Sequence, residues 1–247
     1  INFSLAEVQE IDPLSYRWMG AISGILLIYV GYKVAFELFD RKRFALLVAL
    51  FFMLDGSLLV DSRLGLINVF FSLFGFMAVL FFLKGNKNQN IGHFLISGLM
   101  LGAAFSVKWN GLGFWLTLLS LSFLFFIFYK MGLSFRNEYE RRSLMKSLSL
   151  FIFPFFIYLI FWIPELIYSG NSLIDKHSHM IGYHFDASDQ KAHPYSSPWY
   201  TWPMMIRPIG YFFDSQTLTG SDGENIEIFT AIHLLPNPAL SLLSFIA

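Results

Sequence analysis

The sequence predicts an all-α, polytopic membrane helix bundle, and three observations predict it. Of 247 residues, 55% are hydrophobic and 14% charged, and the mean hydropathy is +0.56, a shift from soluble composition toward lipid solvation. Apolar runs follow one another from charge to charge at close to crossing length, because a helix rising ~1.5 Å per residue needs about 20 apolar residues to span ~30 Å of hydrocarbon. Basic residues, finally, alternate between dense and sparse loops.

In chain order, residues 1–17 are polar and lack both an initiator Met and the pattern of a cleavable signal. They read as the end of an external loop, and the chain is expected to be a fragment. Spans follow at 18–39, 44–60, 64–83, 94–107 with 110–129, and 147–168, and a last run starts at 232. The stretch between His93 and Lys130 is too long for one crossing, and the turn-forming pair Asn110-Gly111 divides it into two short helices. Seven spans result, the last incomplete at Ala247. Residues 18–168 then form the bundle, 169–231 a loop, and 232–247 the start of the next helix.

Orientation follows from Lys and Arg, which concentrate in short cytoplasmic loops. One set of loops holds Arg41, Lys42, Arg43, Lys84, Lys87, Lys130, Arg136, Arg141, Arg142 and Lys146; the other holds only Arg17, Arg63, Lys108, Lys176, Lys191 and Arg207. The first set is cytoplasmic, so 169–231 faces outside. The loop 130–146 is a solvated connection whose mixed charges need no partner beyond water and headgroups.

Several classes of function drop out. Cysteine is absent, which removes disulfides and thiolate metal sites, and no Walker A loop, GxGxxG or GxSxG occurs. A net charge of 0 gives no ground for a nucleic-acid partner. His177, His179, His184 and His193 gather in one loop, yet their spacing with Asp175, Asp186 and Asp189 matches no common metal template. No metal and no cofactor are expected.

The polar residues at the outer boundary remain. Asp55 lies near the outer end of its span, where an ionised carboxylate must face protein or water, and it is expected to face a cavity. Arg63 opens the next span, Lys108 caps the 94–129 hairpin, and Arg207 closes "HPYSSPWYTWPMMIRP", residues 193–208. Each alone is explained by snorkelling or by pairing with a carboxylate such as Asp61. Together they suit a lipid-linked phosphate, for which Arg offers a fork and Lys a point charge. Trp199, Tyr200 and Trp202 make either an interfacial belt or a sugar-stacking ledge stiffened by Pro194, Pro198, Pro203 and Pro208.

Four stretches, "LDGSLLVDSRLGLINVFF", "GLMLGAAFSVKWNGL", "HSHMIGYHF" and "HPYSSPWYTWPMMIRPIGYFFD", resemble the protein O-mannosyltransferase family, the dolichyl-phosphate-mannose–protein mannosyltransferases of the GT-C superfamily. The resemblance runs from about Pro13 to Pro238. It implies a GT-C membrane bundle that takes mannose from a polyprenyl-phosphate carrier and transfers it to Ser or Thr hydroxyls of a secreted or membrane protein on the non-cytoplasmic face. It also implies no cofactor beyond the lipid-linked donor. The absence of a β-trefoil insert in 169–231 favours a prokaryotic type, in a bacterial plasma membrane.

The resemblance implies a substrate-binding set of Arg63, Lys108, Tyr183, His184, His193, Tyr195, Trp202 and Arg207, with Asp55, Ser62, Asn68 and Trp109 supporting. Two departures stand out. Asn68 replaces an Asp that often follows the Ser-Arg pair, and the family's catalytic Asp-Glu pair is expected upstream of Ile1, so no residue of this chain is assigned to catalysis. Rival readings are a GT-C transferase for another lipid-linked sugar or a lipid acceptor, and a transporter. The latter should show inverted repeats and broken helices near the midplane, which the sequence lacks.

Overall fold

The computed structural model describes residues 12–132, 148–170, 172–186, 198–201, 206–219, 225–237 and 239–241. Their fold is an all-α bundle with one two-stranded ribbon added. The chain divides into two compact units, residues 1–52 with 61–190, and residues 53–60 with 191–247.

The first unit holds the bundle. Helix α1 (Pro13–Phe39) starts where Asp12 accepts from the Leu14 amide at 3.0 Å, with Pro13 in the first turn, where its missing donor costs nothing. It ends on left-handed Asp40, φ 52°. Helices α2 (Lys42–Met53) and α3 (Gly56–Leu64) follow, bent by 57° at their junction. Helix α4 (Ile67–Asn88) ends on left-handed Gln89, and Asn90 at once caps α5 (Ile91–Val107) by accepting from the Gly92 amide at 2.8 Å. A single 3-10 turn, Trp109–Gly111, leads into α6 (Leu112–Lys130), as the Asn110-Gly111 pair predicts. One π-helical turn, Leu148–Ile152, precedes α7 (Phe153–Ser169), and α8 (Leu173–Asp186) follows.

Helix α4 packs against α1 and α5, and α5 packs against α7. Ala78, Phe82, Phe94, Leu101, Leu118 and Leu150 form the core. Lipid gives helices little hydrophobic reason to associate, so close approach at small residues and interhelical hydrogen bonds carry the packing. Helix α5 uses both. The fully buried Ser97 donates its hydroxyl to the Ala78 carbonyl of α4 at 2.8 Å. On the α7 side, a Cβ on Gly98 would lie 2.6 Å from the Ser149 carbonyl oxygen, and one on Gly102 would lie 2.8 Å from that of Pro154. Trp115 Nε1 donates to the Leu150 carbonyl at 2.6 Å, satisfying an acceptor in the π turn. Outward faces carry exposed Ile25, Leu46, Phe123 and Phe161, as lipid contact requires.

In the second unit Asp55 is an N-cap. Its carboxylate accepts from the amides of Ser57 and Leu58, both at 3.0 Å, from the Ser57 hydroxyl, and from the Asn237 amide at 3.4 Å. The expected cavity is replaced by backbone donors, which solvate the carboxylate instead of water. Strands β1 (Ile209–Thr219) and β2 (Asn225–Leu234) pair antiparallel with a bulge between Gly210 and Phe212, and Phe213 stacks on Phe229 at 5.9 Å.

The chain is an integral membrane protein. Among the described residues four helical stretches are long and apolar enough to cross a membrane, Pro13–Phe39, Ile67–Asn88, Trp109–Phe128 and Ser149–Ser169, or five with α2 and α3 as one bent span. The expected seven are not reached, because α5 has only 17 residues and the run from 232 opens as the end of β2. Helical backbone reappears only at 239–241 among the described residues. The segment read as an external loop therefore contains a helix and most of a β-ribbon.

Candidate functional site

One end of the first unit gathers polar side chains from α1, α3, α4, α7, α8 and the turn between α5 and α6. That turn is shaped by its sequence. Lys108 ends α5 in an extended conformation, φ −159°, and Gly111 donates back to the Lys108 carbonyl at 2.8 Å. Only a residue without Cβ fits there, because a Cβ on Gly111 would come within 2.7 Å of the Ala104 backbone. Lys108 and Trp109 thereby project in fixed directions from a rigid corner.

Each then enters a polar chain. Lys108 Nζ donates to Asn68 Oδ1 at 3.0 Å, and Asn68 Nδ2 donates to Asp61 Oδ1 at 3.4 Å. The Asn68 amide thus separates the ammonium from a carboxylate that is only 6% exposed. An Asp at 68, the residue the resemblance leads one to expect, would pair with Lys108 directly. Asn leaves the Lys charge unneutralised, with two N–H groups still to give. Arg63, in the last turn of α3, is exposed and has no hydrogen bond or ion pair among the described residues. Ser62 packs against α1, where a Cβ on Gly24 would lie 2.7 Å from its own Cβ.

Trp109 Nε1 donates to Tyr158 Oη at 3.1 Å, and Tyr158 Oη meets His177 Nε2 at 2.5 Å. His177 Nδ1 lies 2.8 Å from the Leu173 carbonyl. With that carbonyl able only to accept, Nδ1 carries the proton in the neutral ring, Nε2 accepts from Tyr158, and Tyr158 Oη accepts from Trp109. Tyr158 Oη is thereby acceptor and donor at once, and both ring nitrogens of His177 are engaged. Rings close around it: Phe105 stacks on Tyr158 at 4.3 Å, and Trp162 and Trp109 lie 4.9 and 6.0 Å from His177. Lys176 pairs with Glu165 at 2.6 Å and ties α8 to α7. Beside this cluster Phe105 lines an apolar cavity of about 150 Å³ with Leu101, Trp115, Phe151 and Pro154.

Of the residues singled out in the sequence, the structure joins Lys108 to Asn68 and Trp109 to the aromatic cluster, and it sets Ser62 and Arg63 at the same end of the bundle. Tyr183 and His184 lie on α8, Tyr183 exposed. Arg207 belongs to the second unit, exposed just before β1, and Asp55 to that unit as a cap. His193, Tyr195 and Trp202 lie outside the described residues. Sequence reasoning missed Tyr158, whose signal was a phenol in an apolar span, and cast His177 only as a weak metal candidate.

The chain is similar to the polyprenol-phosphate-mannose–protein mannosyltransferase of Mycolicibacterium smegmatis, 21% identical over 93% of this chain and 54% of that protein. Another of that name, from Corynebacterium glutamicum, is 24% identical over 81% and 49%. Protein O-mannosyl-transferase 1 of Rattus norvegicus is 25% identical over 70% and 24%. The chain spans about half the length of the bacterial relatives it matches. No solved structure matches. The family model described as dolichyl-phosphate-mannose-protein mannosyltransferase covers residues 4–167, well over half of the chain, and with the Ser62-Arg63 and Lys108-Trp109 elements inside that stretch the chain belongs to this family.

Proposed function

We propose that this chain is the membrane core of a transferase that moves mannose from a polyprenyl-phosphate carrier to Ser or Thr hydroxyls of secreted or membrane proteins on the outer face of a bacterial plasma membrane. The observation that carries the proposal is Lys108, a cation fixed at the corner of α5 and α6, bonded to a neutral amide and left with donors to spare. The excess of Lys and Arg on the opposite loops supports an outward-facing site.

In the proposed step the acceptor oxygen bonds to the anomeric carbon as the bond from that carbon to the phosphate oxygen breaks. The hydroxyl proton passes to a carboxylate, expected from the family's Asp-Glu pair, for which this chain has no match. Negative charge collects on the departing polyprenyl phosphate. Arg63 and Lys108 stabilise it, and they act more strongly on the transition state than on the donor because the charge grows there; the resemblance to the family assigns the same role to Arg207. The resemblance to the family assigns Tyr183, His184, His193, Tyr195 and Trp202 to the sugar or the acceptor. The apolar cavity beside Phe105 suits the first isoprene units. No metal enters this scheme.

The test is mannose transfer to a Ser/Thr peptide by the full-length enzyme in membranes, at equal protein amount. Lys108→Ala and Arg207→Ala should each lower transfer by about 10²–10³, the usual cost of one donor to a developing oxyanion. Arg207→Lys should recover part, since a point charge replaces a fork. Near-wild-type rates for Lys108→Ala would refute the reading.

A further inference from the structure

The cations assigned above leave one basic residue at the same end of the bundle without a task. Arg17 stands in the second turn of α1, where the sequence marks it only as one of the sparse basic residues of the outer loops. Its Nε is buried and finds no hydrogen-bond acceptor among the described residues. Its guanidinium carbon lies 5.4 Å from the centre of the Tyr16 ring.

Its position is fixed by close backbone packing. A Cβ on Gly20 would lie 2.8 Å from the Ser62 carbonyl oxygen and 3.1 Å from the Gly65 Cα. Gly65, left-handed at φ +68°, has room for the Tyr16 carbonyl and the Arg17 Cα at 3.6 and 3.8 Å from where its own Cβ would be. The start of α1, which carries Arg17, is thus pressed onto the Ser62–Gly65 turn, in which Arg63 stands. Neither Arg17 nor Arg63 is ion-paired among the described residues. A snorkelling Arg lets its whole head reach water or headgroups, whereas here Nε is enclosed. An enclosed, unmatched guanidinium N–H is costly on its own and is stabilised when an anion accepts from it.

We infer that Arg17 is a further cation of the carrier-phosphate pocket, acting with Arg63 on the phosphate oxygens of the polyprenyl phosphate. This rests on the proposal that the pocket holds such a phosphate. Arg17 binds the phosphate in donor and product alike, so it acts chiefly on affinity, unlike a donor that meets only the transition state.

The experiment uses the full-length enzyme and unglycosylated polyprenyl phosphate as a competitive inhibitor of mannose transfer to a Ser/Thr peptide. Arg17→Gln should weaken that inhibition, and raise the KM for the mannosyl donor, by about ten- to a hundredfold, the worth of one charge-assisted hydrogen bond. The peptide KM should stay unchanged. Arg17→Lys keeps the charge and stem, so it should fold in any case and fall between wild type and Gln. Unchanged inhibition by polyprenyl phosphate in Arg17→Lys and Arg17→Gln overturns the inference, as does a loss confined to thermal stability. Arg63→Gln and Lys108→Gln run beside them. If these weaken inhibition and the Arg17 variants do not, the inference fails alone; if none of the four does, the phosphate pocket fails with it.

Discussion

Replacing Gly102 with Ala tests whether the α5–α7 seam sets the geometry of the site. The new methyl carbon would lie 2.6 Å from the Ile157 Cβ and 2.8 Å from the Pro154 carbonyl oxygen. Ordinary contact begins near 3.4 Å, so the helices must part by about 0.8 Å, and both obstacles are on or next to the backbone and cannot swing away. Ala gains about 1 kcal/mol over Gly in helix propensity, while overpacking costs about 1–3 kcal/mol. Tyr158 follows Ile157, so the same displacement would stretch its 3.1 Å bond to Trp109 to about 3.9 Å, beyond hydrogen-bond reach, at a further cost of about 1 kcal/mol. The net expectation is a loss of about 1–3 kcal/mol, read as a lower melting temperature of the detergent-solubilised protein, with reduced mannose transfer. Gly113→Ala is the control, since a Cβ there meets nothing within 4 Å. A Gly102→Ala protein that melts at or above the wild-type temperature would refute the reasoning.

Tyr158→Phe keeps the stack on Phe105 but strips both Trp109 Nε1 and His177 Nε2 of their partner; stability should fall by about 1–2 kcal/mol, and a double-mutant cycle with His177→Ala should show coupling of about 0.6 kcal/mol or more. Additive losses would dissolve the network. Asp55→Ala removes the cap of α3 and should cost about 1 kcal/mol of stability, with Asp55→Asn retaining most of it; equal losses for both would show that charge, not capping, matters. Asn68→Asp places a carboxylate beside Lys108, and donor affinity should drop as the ammonium is neutralised; tighter polyprenyl-phosphate inhibition would contradict this. A tag inserted between Asp186 and Lys191 should be labelled from outside intact spheroplasts, and labelling only after permeabilisation would reverse the orientation.

The bundle was legible because lipid imposes a simple code. Apolar runs bounded by charge located α1, α4, α6 and α7, and Asn110-Gly111 located the corner that carries Lys108. The code weakens where the chain leaves lipid. Helix α8 was hidden by its own polarity, with Asp175, Lys176, His177, Ser178 and His179 in a row. The ribbon was missed: its residues were assigned to the loop 169–231 and to a helix from 232, although Gly220-Ser-Asp-Gly223 is a turn-forming stretch between two runs rich in apolar residues. In the site, the residue types that bind phosphate could be picked from motifs. Their partners could not. That Asn68 bridges Lys108 and Asp61, or that Tyr158 reaches across to His177, depends on which helix faces meet, and periodicity leaves those pairings open.

The π turn at Leu148–Ile152, held by Trp115, has a bearing on how the gene can vary. A π turn is an α-helix carrying one surplus residue, and loss of that residue restores α geometry while turning everything on one side of it by about 100° relative to the other. Here α7 is locked to α5 at Gly98 and Gly102, so the rotation would fall on the segment that precedes Leu148. Single-residue insertions and deletions around 148–152 should therefore be absorbed upstream, in the connection from Lys130, and Tyr158 would keep its aim. Length variation among natural homologues is expected to collect there and to spare the stretch from Pro154 to Glu165.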